Sequence, residues 1–205
     1  MGTVSLHWKT VTDEMRSLLL GLMQDPMLTD FDLVGGTALA LRFGHRISVD
    51  LDFFTQDIFD ANALGEHLHQ AVGLKEIQTA TNTLRGYVGD VKLDFIRHDY
   101  PCLSPAEQIQ GVRLSSVEDL SAMKLNAISN RGSKKDFWDL HRLLEEGTCE
   151  EWIACAKEKY TSESVWNIRR SLCYFDDAEI DPPPRDLCGQ DWETVKKEIA
   201  MAVSI

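Results

Sequence analysis

The chain lacks several features that would each mark a class of protein. Its five cysteines (Cys102, Cys149, Cys155, Cys173, Cys188) form an odd set without a Cys-x-x-Cys pair, so no structural zinc and no disulfide framework is expected, and reduced thiols in a cytoplasm fit better. No apolar run approaches a membrane span. Met1 to Met15 interleave Lys9, Asp13 and Glu14 with isolated apolar side chains, so the unbroken apolar stretch of a secretion signal is missing. Basic residues are in deficit: 21 Lys and Arg against 33 Asp and Glu leave a formal charge of -12. Such a surface repels a polyanion spread over all of it, and any nucleic-acid contact must be local. A carboxylate cluster built around divalent cations adds to such an imbalance when the cations are left out of the count. There is neither an internal repeat nor a low-complexity tract.

What is present is an ordinary globular composition, long enough for one domain with a real core. Thr12 is placed to cap a helix reaching about Met27, with Met15, Leu18, Leu19, Leu22 and Met23 as its buried stripe. Phe31–Val34 reads as a short strand that meets Gly35-Gly36, and Thr37–Arg42 then reads as a helix ending at Gly44. Val49–Thr55 alternates strictly, which puts Asp50 and Asp52 on one strand face and Leu51 and Phe53 on the other. A helix over 61–72, strands near 75–80 and 83–88, and a strand Val91–Ile96 with Asp94 opposite Leu93 and Phe95 complete a mixed first half. From Ser116, where Ser-Val-Glu-Asp119 suggests a capping box, helical periodicity dominates. Pro182-Pro183-Pro184 sets off a last helix of roughly Asp191 to Val203. The fold class expected is α+β, with an α/β core over 1–115 and a helical part over 116–205.

A glycine pair that opens a helix lets a triphosphate approach the backbone, since glycine has no Cβ and the helix start offers unpaired N–H donors. Alone it is most often a plain turn, as a lone Asp-x-Asp is most often a solvated edge. The combination carries more: Gly35-Gly36, then Asp50-Leu-Asp52, then Leu93-Asp94-Phe95, gives three carboxylates from two strands on one face. Crowded carboxylates raise one another's pKa or take up cations, and a pair of hard divalent ions is the usual device for in-line nucleotidyl displacement.

The spacing resembles the signature of the polymerase-beta nucleotidyltransferase superfamily. Gly35-Gly36-Thr37-Ala-Leu-Ala-Leu-Arg42, His45-Arg46-x-Ser48-x-Asp50-Leu-Asp52-Phe-Phe54 and Lys124-x6-Arg131-x3-Lys135-Asp136-x2-Asp139-Leu140 resemble, in order, the blocks of the AbiEii/AbiGii-type nucleotidyltransferase family. This family is known for toxins of toxin–antitoxin and abortive-infection systems. The resemblance implies a polymerase-beta-like core, a helical part closing over the nucleotide, and transfer of a nucleoside monophosphate from an NTP to a hydroxyl with release of pyrophosphate. It implies Mg2+ or Mn2+ on Asp50, Asp52 and Asp94, with Asp94 the candidate general base. Gly35, Gly36, Thr37, Arg46, Ser48, Lys124, Lys135 and Asp136 are the candidate nucleotide-binding residues. Partners implied are an NTP, a transfer RNA, other RNA or protein acceptor, and a cognate antitoxin, without a membrane.

Residue patterning bears on some of these positions. Lys124 shares a helical stripe with Leu120 and Ile128, and Asp136 shares one with Leu140 and Leu143. Such an inward pair serves either a triphosphate or a structural ion pair, and an acidic metal site favours the first. Arg42, His45 and Arg46 precede the acidic strand, where solvated basic clusters are common. Lys134 and Lys135 start a helix against its dipole, and with Arg131, Arg169 and Arg170 they would form a basic groove. His67 and His69 point to different helix faces and make a poor metal pair. Cys149 and Cys155 read as buried thiols, and the five tryptophans (Trp8, Trp138, Trp152, Trp166, Trp192) as packing. Two further readings fit the same residues: a nucleotide- or protein-binding module without turnover, and a small-molecule nucleotidyltransferase of the antibiotic-modifying kind.

Overall fold

The structure is a computed structural model that describes residues 5–160 and 168–204. Thr12 caps α1 (Asp13–Leu22), its hydroxyl accepting from the Met15 N–H, and Met15, Leu19 and Leu22 are buried. α1 stops at Leu22 rather than near Met27, because Asp25 caps a separate 3-10 turn over Pro26–Leu28. β1 (Asp32–Val34) leads directly into α2 (Gly35–Phe43), so the glycine pair is the first turn of the helix rather than a loop before it.

β2 (Asp50–Thr55), α3 (Ala61–Val72), β3 (Lys75–Ala80), β4 (Thr83–Val88) and β5 (Val91–Arg97) follow as the patterning predicts. Two short strands, β6 (Glu107–Ile109) and β7 (Val112–Leu114), were not foreseen. All strands join one mixed seven-stranded sheet in the order β3-β4-β5-β2-β1-β7-β6. β2 runs parallel to β5 and antiparallel to β1.

Register is set by the apolar alternates. Leu51, Phe53, Leu93 and Phe95 are buried, with the Phe53 and Phe95 rings stacked at 4.9 Å. Each contributes roughly 1.5–3 kcal/mol on burial. A slip of one residue would drive the aspartates into that core and expose the phenylalanines, so the same contacts that build the sheet hold the three carboxylates on its other face.

After β7 the chain is helical: α4 (Val117–Asn130), α5 (Lys134–Leu143), α6 (Cys149–Lys159), α7 (Ile168–Leu172) and α8 (Trp192–Val203). The expected capping box at Ser116 is half formed. Ser116 Oγ accepts from the Asp119 N–H and donates to Asp119 Oδ2 at 2.7 Å, but instead of the Ser116 N–H the Asp119 carboxylate takes the Leu103 and Ser104 N–H groups and Lys159 at 2.6 Å. Complete boxes occur instead at Ser133/Asp136 and Thr148/Glu151. α2 packs on β1, β2, α4 and α5, which ties the glycine turn to the helical part. The triproline crosses beside Ser48 and Asp50, because Arg185–Leu187 pairs with His45–Ile47 through the Ile47 N–H to the Arg185 carbonyl and the Leu187 N–H to the His45 carbonyl.

The tryptophans that the structure describes pack: Trp138 and Trp192 stack at 5.8 Å, Trp152 donates to the Leu143 carbonyl and Trp8 to Gln110. Trp166 lies outside the described residues. His67 and His69 are held by Asp25 and by the Leu74 carbonyl.

Candidate active site

Val34 on β1, Asp52 on β2 and Asp94 on β5 stand opposite one another in one cross-strand row, with Asp50 two residues along on the same face. Gly35 follows Val34 with φ +71, the left-handed region that glycine enters without strain. A Cβ on Gly35 would sit 2.5 Å from Asp52 Oδ2, and one on Gly36 would overlap the Arg46 guanidinium. Both glycines are thus required by a close approach, at the point where the start of α2 meets the carboxylates. Thr37 Oγ1 donates to the Asp50 carbonyl and lies 2.8 Å from Ser48 Oγ, fixing the loop that enters β2. Gly35→Ala is expected to cost roughly 1–2 kcal/mol from the backbone alone, with a further loss from the displaced Asp52. Thermal denaturation of the variant measures the sum, and an unchanged melting temperature would count against the close approach.

These residues line a cavity of about 390 Å³, walled on the other side by Lys124, Arg131, Lys135 and Asp136. Its electrostatics are those of crowded anions. Burial pushes the Asp52 carboxyl above the usual range, and Asp94 and Asp50 push it further. Asp94 is 7% exposed; its Oδ2 accepts from Lys92 Nζ at 2.7 Å, Arg85 Nε lies 3.6 Å from its Oδ1, and that Oδ1 is buried with no hydrogen-bond partner among the described residues. Asp50 Oδ2 is 3.6 Å from Lys135 Nζ. Among the described residues no three His, Cys, Asp or Glu side chains converge at metal-ligand spacing, and two of these carboxylates face lysines. The donor set nevertheless suits a hard divalent cation: all oxygen, three potential charges, and one buried carboxylate oxygen lacking a donor.

Several candidate nucleotide contacts are joined to one another by internal ion pairs and hydrogen bonds. Asp139, fully buried, accepts from Arg46 Nε at 2.6 Å and Nη2 at 2.9 Å, from His45 Nε2 at 2.8 Å, and pairs with Lys124 Nζ at 2.7 Å. Lys124 also donates to Asp136 Oδ1 at 2.9 Å, and Asp136 caps α5 through Ser133 and accepts from Arg131 Nε at 3.1 Å. The geometry holds the structural ion pair, extended into a network, and Lys124 and Asp136 enter it while they also line the cavity. Burial alone would lower the Lys124 pKa, but Asp139 and then Asp136 outweigh it. Burial alone would raise the Asp139 pKa, and Arg46 with Lys124 holds it well below the carboxylate range. Arg46 and Ser48 line the cavity with their polar atoms satisfied from within the protein. Lys135, half exposed, keeps its ammonium at the cavity mouth.

In the sequence Asp139 stands out only as part of the Lys124–Leu140 motif. The available signal was its place three residues after Asp136 on the stripe that carries Leu140 and Leu143, where a second inward carboxylate calls for cations. The basic groove does not form as expected. Lys134 is buried, donating through Nζ to the Glu179 carbonyl and lying over the Trp192 ring, and Arg169 is paired with Glu150.

Beyond the carboxylates the cavity turns aromatic. Phe54 and Ile96 are the next residues along β2 and β5 on this face, and the Phe54 ring stacks on His98 at 4.8 Å. His98 Nε2 shares a hydrogen bond of 3.1 Å with Tyr160 Oη. Burial, and then the charge of Lys159, lowers the His98 pKa from 6.5 to about 4. The unfolded chain therefore binds a proton here that the folded one refuses, and stability falls as pH drops from 6.5 to about 4. The depressed Asp136 and Asp139 act in the same direction, the unfolded chain again taking the proton first, and their contribution is lost only as pH falls below the ordinary carboxylate pKa of 3.8. His98→Phe is expected to flatten the upper window alone, read as melting temperature against pH. An equal slope in both proteins would remove His98 as its source.

A sequence model of the family described as "Nucleotidyl transferase AbiEii toxin, Type IV TA system" matches residues 17–204. The chain is 34% identical over 171 residues to an uncharacterized protein of Aquifex aeolicus strain VF5, covering 80% of this chain and 83% of that one. Its fold is similar to that of JHP933 from Helicobacter pylori, with a TM-score of 0.60 at 23% identity over 95% of this chain and 92% of that one. It is also similar to MenT4, a nucleotidyltransferase toxin of Mycobacterium tuberculosis H37Rv, with a TM-score of 0.61 at 16% identity over 94% of this chain and 83% of that one. At such identities the two structures speak for the fold: a mixed sheet with flanking helices, followed by a helical part.

Proposed function

The chain belongs to the AbiEii nucleotidyltransferase family, and from that premise we propose that it transfers a nucleoside monophosphate from an NTP to an acceptor hydroxyl and releases pyrophosphate. The observation that supports this best is the row Val34, Asp52, Asp94, which sets the Gly35 backbone against one carboxylate and a second carboxylate beyond it. Residues 1–115 form the catalytic core on this reading, and 116–205 the part that closes over the nucleotide.

Asp50, Asp52 and Asp94 would hold Mg2+ or Mn2+, which when bound offsets charge on the phosphates and acidifies the acceptor hydroxyl. The chain's own residues do the rest. Gly35 and Gly36 admit the phosphates to the start of α2, where free N–H groups and the helix dipole favour negative charge. Lys135 and Arg131 supply cations at the mouth. Asp94 accepts the proton of the acceptor hydroxyl as its oxygen bonds to the α-phosphorus and the bond to pyrophosphate breaks. Lys124, Arg46 and Asp139 are positioning residues that hold α5 and α4 to the glycine turn. The apolar end formed by Phe54, His98 and Tyr160 suits a nucleobase.

The biological role that family membership supports is that of a toxin, with a cognate antitoxin and an RNA or protein acceptor in the cytoplasm. Among the described residues no helix is long and apolar enough to cross a membrane. Incubation with each radiolabelled NTP, Mg2+, and total cellular RNA, protein or small metabolites tests the reading. Label is expected in one macromolecular fraction; label in the small-molecule fraction would favour an antibiotic-modifying type of enzyme, and label in none would leave a binding module.

A further inference from the structure

Two cross-strand rows lead from the open edge of the sheet to the carboxylates. The registers place Gln78, Arg85, Asp94 and Asp52 in one row, and Lys75, Tyr87, Lys92 and Asp50 in the other. Residues paired across a sheet share a face, and none of the described residues covers this face of β3 and β4. α3 lies on the opposite one, where Gly65 meets Ile77 and Leu84. Lys75, Gln78, Arg85 and Tyr87 are accordingly exposed.

A lysine on an edge strand has a bland use, in keeping sheet edges apart. That does not account for Arg85 and Tyr87, which stand one strand further in. In a chain of formal charge -12, three cations beside an exposed aromatic ring form a local positive track, and the track ends on Asp94.

The direction of approach follows from the transferase reading, on which this inference rests. The glycine turn lies on the β1 side of Asp52, so on that reading the leaving pyrophosphate departs there. An in-line displacement brings the acceptor oxygen from the other side, over β5 and β4.

We propose that the open face of β3, β4 and β5 is the acceptor-docking surface, and that it receives the 3′ end of a single-stranded nucleic acid. Lys75, Arg85 and Lys92 meet backbone phosphates, Tyr87 stacks on a base, and the terminal hydroxyl reaches Asp94. A phosphate arriving at Arg85 and Lys92 competes with Asp94 for both cations, which leaves the carboxylate free to take the proton.

Fluorescence anisotropy with a short 5′-fluorescein-labelled single-stranded RNA bearing a free 3′-hydroxyl, without NTP, tests this. Lys75→Ala and Arg85→Ala are each expected to weaken binding about 3- to 10-fold at moderate salt and to lower the salt slope by about one. Tyr87→Ala is expected to weaken it about fivefold or more with an unchanged slope. Lys197→Ala, exposed on α8, is the control that leaves binding intact. All four positions are exposed, and circular dichroism checks their folding. Losses no larger than that of the control overturn the proposal, as does displacement of the RNA by polyglutamate at equal charge, which would make the surface a site for acidic protein. Calorimetry of Mg·NTP binding to Lys75→Ala and Tyr87→Ala is expected to match the unaltered protein, and a loss there would assign the face to the donor instead. Failure of the unaltered protein to bind NTP would count against the transferase reading alone, because the RNA measurement needs no NTP.

Discussion

Asp50→Asn combined with Asp52→Asn is expected to weaken magnesium-dependent NTP binding at least ~100-fold, about 2.7 kcal/mol, while the melting temperature stays the same or rises. The two halves of this expectation have one cause. Burial and the neighbouring Asp94 and Asp50 raise the Asp52 pKa, so the ionised form is disfavoured in the folded chain. A carboxyl whose folded pKa lies above its unfolded value stabilises the fold only below that unfolded value, and the contribution is lost as pH rises through the folded one. At neutral pH the ionised cluster thus costs stability, and neutral asparagines of the same shape remove the cost along with the ligands. A gain in stability with a loss of function is the signature of a site built for its ligand rather than for the fold. Isothermal calorimetry and thermal denaturation on the same samples decide the matter. Unchanged affinity would defeat the proposed site, and a collapsed melting temperature would mean that the carboxylates hold the structure together.

The parts of this arrangement that were legible in the sequence share a property. β2 and β5 bury one face and not the other, so the alternation of Leu51 and Phe53 with Asp50 and Asp52, and of Leu93 and Phe95 with Asp94, records the burial directly. The cap of α1 was equally legible, because Thr12 acts on the Met15 N–H only three residues on. What could not be read depends on contacts between distant segments. β6 and β7 are three residues each and exist because β7 pairs with β1 at Leu33 and Leu114. Asp119 satisfies the local rule for a capping box but finds Lys159 and the Leu103 N–H across the fold, and these win. The sequence around Arg46 offers a phosphate contact or a solvated cation before a strand; only the tertiary structure puts Asp139 within 2.6 Å of it. The inward Lys124 was visible as a break in an apolar stripe, yet a stripe does not say which of several buried carboxylates will meet it.

Asp139→Ala is expected to be the most destabilising single change in the chain, by roughly 3–5 kcal/mol, or a fall in melting temperature of about 10 °C or more. The residue is fully buried and receives Arg46, His45 and Lys124, which arrive from the loop before β2 and from α4. Removing it leaves two buried cations, Arg46 and Lys124, short of a partner. Lys124→Met should cost less, because Asp139 keeps Arg46 and Asp136 keeps Arg131 and Ser133. Asp139→Asn retains the shape and part of the hydrogen bonding while removing the charge, and it keeps the test open if the alanine variant does not fold. Joining Lys124→Met to Asp139→Asn should then cost less than the two single changes added together, since a lysine without its carboxylate is a burden to the folded state; a coupling of about 0.5–3 kcal/mol is expected. Because Gly36 packs directly against the Arg46 guanidinium, loosening this network also moves the turn that meets the phosphates, and transfer activity should fall with stability. Urea denaturation of the two single variants and the double variant measures the coupling. Strict additivity, or an Asp139→Ala protein that melts where the unaltered one does, would reduce the network to packing.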